Sequence, residues 1–95
     1  MNEKIIGLIG YVLMADSRKK IMEVLLGKYA TPFGLATTCD MSISLSNMTL
    51  KSLKEKGLVK CIDYSSKRHK IYCLTDMGAE VSRNLEEYSK LMILE

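Results

Sequence analysis

One histidine, one proline and three cysteines are spread over 95 residues, and these scarcities exclude a good deal. With a single histidine, no acid pair at useful spacing and no glycine-rich phosphate loop, the chain offers no credible active site. The reading is a protein that is not an enzyme. Cys39, Cys61 and Cys73 are odd in number and lack CxxC spacing, which fits reduced, partly buried thiols. A metal role for His69 would require Cys61 and Cys73 as co-ligands, and an exposed loop histidine is the simpler account. No metal and no cofactor are expected. No Pro/Gly/Ser linker, repeat or low-complexity tract interrupts the chain, so 1–95 reads as one domain. The apolar stretch from Ile5 to Ala15 is too short to span a bilayer and runs into Arg18-Lys19-Lys20. No signal peptide or membrane segment is read, and the expected location is cytoplasmic.

What is present looks ordinary until it is divided along the chain. The hydrophobic fraction of 47% and charged fraction of 26% suit a globular domain with a modest core. The net charge is +3, but its distribution is uneven. Between Ser42 and Lys70 seven basic residues face only Glu55 and Asp63, a balance of +5, so the remainder carries −2. Such concentration suits a phosphate-binding surface, although a lysine-rich run is by itself more often a solvated face.

Hydrophobic spacing and capping residues divide the chain into elements. Ile5, Ile6, Leu8, Ile9, Val12 and Leu13 suit a buried helix, which Gly7 and Gly10 weaken enough to leave a partly extended segment open. Asp16 or Ser17 offers a cap for a second helix carrying Ile21, Met22, Val24 and Leu25, and Gly27 ends it. Thr31-Pro32 is a favourable helix start, and the short helix to Cys39 offers Phe33, Leu35 and Ala36 to the core. After a tight break at Asp40–Ser42, a helix over 43–56 is capped by Ser42 or Ser44 and closed by Gly57. Its projection places Ile43, Ser46, Leu50 and Leu53 on one face, with Ser44, Asn47, Met48, Lys51 and Glu55 on or near the other. Two β-prone runs, Leu58 to Tyr64 and Lys70 to Leu74, flank the polar loop Ser65-Ser66-Lys67-Arg68-His69. If they pair as a hairpin, Cys61 and Cys73 lie near one another, and a disulfide between them stays open. Thr75 caps a last helix in which Met77, Val81, Leu85, Tyr88 and Met92 recur at steps of four and three.

This order of elements is informative. Two helices joined by a three-residue turn form a helix-turn-helix, whose second helix fits the DNA major groove. A basic hairpin directly after it makes the module winged. The expected fold is therefore mainly α with a small β-hairpin wing (α+β), a winged helix-turn-helix with flanking N- and C-terminal helices. Ser44, Asn47 and Lys51 become candidate base or phosphate contacts, and Lys67, Arg68, His69 and Lys70 candidate backbone or minor-groove contacts.

At Thr31-Pro32, at Leu35-Ala36, from Leu50 to Val59 and from Ile71 to Gly78 the chain resembles winged-helix transcriptional regulators. The style is that of archaeal proteins related to the MarR and ArsR groups, over roughly residues 11 to 90. The blocks L-K-E-K-G-L-V and Y-C-L-T-D-M-G are the most telling. The resemblance implies sequence-specific binding of double-stranded DNA by a homodimer. Where the family often has glycine in the turn this chain has Asp40, which tolerates the needed backbone. An inward valine is replaced by Ser46, whose hydroxyl can bond back to a carbonyl one turn earlier. Leu45 and Met48 stand where polar readers are common; they suit thymine methyls, or a protein-binding surface in an adaptor that reads no DNA sequence. The Cys-x-Cys pair of ArsR-like metal sensors is missing, and a small-molecule effector is left unassigned.

The stripe Val81, Leu85, Tyr88 and Met92 suits either core or dimer seam. Leu91, Ile93 and Leu94 add more apolar surface than one small domain needs, which favours a partner chain. Segments 1–15 and 76–95 are therefore read as flanking dimerisation segments, with those four residues at the interface.

Overall fold

Most helices begin where the sequence supplies an oxygen for amides that have no partner within the helix. The computed structural model describes residues 2–62 and 70–94, and side chains as far as Lys90. Helix α1 (Glu3–Leu13) opens on Asn2, whose side chain accepts from the Ile5 amide at 2.8 Å. Gly7 and Gly10 are both helical. A glycine costs a helix about 1 kcal/mol, and burying Ile5, Ile9 and Val12 more than offsets two of them. Helix α2 (Asp16–Leu25) departs from expectation: its N-cap is Ala15, with no side-chain bond. Asp16 falls inside the first turn, where its carboxylate favours the positive helix end. The Ser17 hydroxyl accepts instead from Thr49, at 3.1 Å.

Gly27, at φ 73°, turns the chain out of α2. Helix α3 (Pro32–Thr38) starts as the sequence reads: Thr31 accepts from the Gly34 amide and Pro32 sits in the first turn. Helix α4 (Ile43–Glu55) is capped by Ser42, which accepts from the Leu45 amide at 3.0 Å. Gly57, at φ 76°, closes it.

Strands β1 (Val59–Cys61) and β2 (Tyr72–Leu74) pair antiparallel, with Val59 opposite Leu74, Lys60 opposite Cys73 and Cys61 opposite Tyr72. They are shorter than the β-prone runs, although the Ile62 amide still reaches the Ile71 carbonyl at 2.8 Å. Facing residues share a side of the ribbon and successive ones alternate, so Cys61 and Cys73 point to opposite faces. No disulfide joins them. A third segment was not foreseen. Ala30 exchanges both backbone hydrogen bonds with Tyr72, at 3.1 and 2.8 Å, and so pairs along the far side of β2.

Helix α5 (Asp76–Leu94) is locked to the start of the hairpin by the two blocks that carried the family resemblance. Thr75 donates its hydroxyl to the Gly57 carbonyl at 2.6 Å and caps the Gly78 amide at 3.0 Å. The Leu58 carbonyl accepts from the Thr75 amide and lies so near Gly78 that a Cβ there would sit 1.9 Å from its oxygen. One block supplies the carbonyls, the other the hydroxyl and the glycine.

Ile21, Met22, Leu25, Leu35, Leu50, Leu53 and Leu58 fill the centre, between α1, α5 and the α3–α4 pair. Val81 and Leu85 are 0% and 1% exposed and belong to this core. The stripe suited either core or dimer seam, and within the single chain these two residues take the core role. Phe33 is a correction. It was expected inside and is 66% exposed, because the seven-residue α3 buries only the side that carries Leu35 and Ala36. Among the described residues every buried side-chain polar atom has a hydrogen-bond partner, and no helix is long and apolar enough to cross a membrane.

Candidate nucleic-acid interface

The site is built on α4, and its geometry is set at the preceding turn. Asp40 takes φ 54°, the left-handed conformation the sequence required of it, and the Met41 amide reaches back to the Ala36 carbonyl at 2.9 Å. Ser46 is buried within α4 and donates to the Pro32 carbonyl at 2.8 Å. The expected acceptor was a carbonyl one turn earlier in its own helix. The bond instead joins the first turn of α3 to α4, so the Ser46 hydroxyl fixes the spacing of the two helices.

Ser46, Thr49, Leu50 and Leu53 form the buried side of α4. Thr49 was missed, although its spacing of three from Ser46 and four from Leu53 marks that side. Ile43 was expected with them and is 50% exposed, since it is the first helical residue and lies on the flank. A second attachment comes from α1 and α2. The Tyr11 hydroxyl hydrogen-bonds the Ser52 hydroxyl, the Arg18 guanidinium lies 3.9 Å over the Tyr11 ring, and Lys56 covers the ring at 5.0 Å. Arg18 also donates to the Tyr11 carbonyl at 2.8 Å, which joins α2 to α1 beside the α4 contact.

With the inner side held, the outer side is left to solvent. Ser44, Leu45, Asn47, Met48 and Lys51 are all exposed, as read from the sequence, and Lys54 joins Asn47 and Lys51 on one flank. Lys54 was overlooked, although steps of seven and three from those residues place it there. Lys60 on β1 and Lys70 are also exposed. Lys67, Arg68 and His69 lie outside the described residues. Burial pushes the Cys39 thiol above its ordinary pKa, which keeps it protonated at neutral pH. Burial also raises the Tyr72 phenol, with a smaller contribution from Cys61. Among the described residues no group of three His, Cys, Asp or Glu side chains could hold a metal ion.

No protein-family model matches the sequence, and no curated protein sequence matches it. Solved structures do match. The S. aureus MepR–DNA complex superposes with a TM-score of 0.73 at 16% identity, over 96% of this chain and 77% of MepR. A homodimeric winged helix-turn-helix DNA-binding domain from Mycobacterium bovis, a possible ArsR-family transcriptional regulator, gives 0.68 at 20% identity, over 94% and 79%. A mutant of Lactococcus lactis ZitR in complex with DNA gives 0.69 at 19% identity, over 83% and 55%. The fold is a winged helix-turn-helix. In several ZitR structures this chain spans less than two thirds of ZitR, 55 to 62% of its length. Within the winged helix-turn-helix, α3 and α4 are the coupled pair, β1 and β2 are the base of the wing, and α1 and α5 are the flanking helices.

Proposed function

We propose that this chain binds double-stranded DNA as a homodimeric regulator of transcription, without catalysis. In this reading α4 enters the major groove, and residues 65–70 of the wing lie on the backbone or in the minor groove. The observation that carries it is the two-sidedness of α4. Its inner side is closed by buried residues and a hydrogen bond to α3, while Ser44, Asn47 and Lys51 stand exposed along the outer side. An α-helix fits the major groove, where Asn suits the adenine edge and Ser or Lys a phosphate. The +5 balance over Ser42–Lys70 matches a polyanion. The likeness to the MepR and ZitR complexes with DNA agrees with the same reading.

The dimer part of the proposal rests on α1 and α5, which pack side by side. Within the single chain Val81 and Leu85 lie in the core, so the seam is proposed at the half-buried Tyr88 and the exposed Ile6 of α1, together with Met92, whose side chain lies outside the described ones. Two copies then present paired recognition helices, about 34 Å apart on one face of the duplex. The kinship proposed is with MarR- and ArsR-like regulators of archaeal type, acting in the cytoplasm.

The test is the salt dependence of binding to a labelled duplex, read by fluorescence anisotropy. Wild type should lose affinity steeply as salt rises. The double variant Lys67→Ala, Arg68→Ala should bind more weakly to every sequence, with a log–log salt slope flatter by roughly 1 to 2. A double variant that binds like wild type would remove the wing from the interface.

A further inference from the structure

The groove-facing part of α4 has an unusual chemistry. Its first two turns, Ile43 to Leu50, hold no charged side chain, and the whole helix holds no arginine. The commonest specific contact to guanine, a bidentate Arg or Lys, therefore has no donor in those turns. Apart from the hydroxyl of Ser44, their exposed positions are instead apolar or amide-bearing. Met48 is 69% exposed on the outer side, with Leu45 at 40% on one flank and Ile43 and Asn47 on the other. Cations begin only at Lys51, and the one acid of α4, Glu55, lies seven residues beyond Met48, about 10 Å along the axis.

Resting on the DNA-binding reading, we infer that this surface reads A·T pairs through both partners. Met48, Leu45 and Ile43 cover thymine C5-methyl groups, and Asn47 pairs with an adenine edge. The major groove presents one apolar group that is absent from the other natural bases, the methyl on thymine C5. Apolar side chains held in that groove bury more apolar area where such methyls stand against them than facing a cytosine, where they meet a bare ring edge and a polar amino group. A basic protein surface is a poorer occupant, because the apolar turns are followed directly by Lys51 and Lys54, which match phosphates flanking the groove. The target is thus defined by where thymines fall within an A·T-rich half-site.

Replacing thymidine with deoxyuridine removes the methyl and leaves the Watson–Crick edge intact. Two random duplex pools, one synthesised with thymidine triphosphate and one with deoxyuridine triphosphate, would be compared for retention by wild type and by the variant Leu45→Ser, Met48→Ser. Both substituted positions are exposed, so the fold is not at stake. The inference expects wild type to retain the best thymine-containing sequences several-fold more tightly, at roughly three- to fivefold per methyl covered. The variant should lose most of that preference, with Ile43 keeping its share, and its weaker binding should remain salt-sensitive. Equal, salt-sensitive retention of both pools by wild type overturns the methyl readout and leaves DNA binding standing. Retention of neither pool at low salt overturns both.

Discussion

At Gly78 a hydrogen stands where any other residue would place a β-carbon almost upon the Leu58 carbonyl oxygen. That contact is backbone against backbone, so no side-chain rotation relieves it. The Gly78→Ala variant must separate α5 from the start of β1 and strain the Thr75 bonds to Gly57 and Leu58. Overpacking of this kind costs about 3 kcal/mol or more where nothing flexible yields, a large share of a small domain's stability. Denaturant unfolding should show a markedly lower midpoint for Gly78→Ala, and an unchanged midpoint would refute the interlock. Gly7, in open space on α1, is the natural control. Ser46 makes the same point with a polar group. It is buried, but its hydroxyl is satisfied by the Pro32 carbonyl, so the α3–α4 pair gains a fixed spacing and leaves no donor unmatched.

At the scale of elements, the caps and turns other than the start of α2 were legible because each rests on short-range chemistry. Thr31-Pro32, Ser42, Asp40, Gly57 and Thr75 all do locally what their residue types allow. What the sequence hid depends on tertiary contact. Phe33 and Ile43 are apolar at helix starts, and nothing local says that the core lies on another side. Ala30 carries no strand signal, yet it completes the sheet because α2 ends where it can lie against Tyr72. Of the candidate interface, the outer residues of α4 were legible from helical period alone, whereas the attachment through Tyr11, Ser52 and Arg18 spans α1, α2 and α4 and leaves no sequence pattern. The roles along α4 also separate by measurement. Asn47→Ala removes a base-edge contact, so affinity for the preferred site should fall roughly tenfold while affinity for unrelated duplex stays level. A uniform loss across sequences would instead mark Asn47 as a backbone contact.

At the scale of the whole molecule, α5 gives part of its apolar face to the chain's own core, and the proposed dimer seam would take the rest. Val81 and Leu85 face α1 and the centre. Leu85→Asp should therefore unfold the chain, with loss of helical circular dichroism, because it buries an unpaired carboxylate. Tyr88 is only half-buried, so Tyr88→Asp should leave the helical signal intact and convert dimers to monomers in sedimentation. A folded Tyr88→Asp dimer would move the seam elsewhere. The most direct test of the central claim is selection from a random duplex pool at two salt concentrations, with sequencing of the retained fraction. The account predicts strong salt dependence and an enriched inverted repeat, with half-site centres about one helical turn apart. Absence of retention at low salt would contradict it and turn the exposed Leu45 and Met48 surface towards a protein partner.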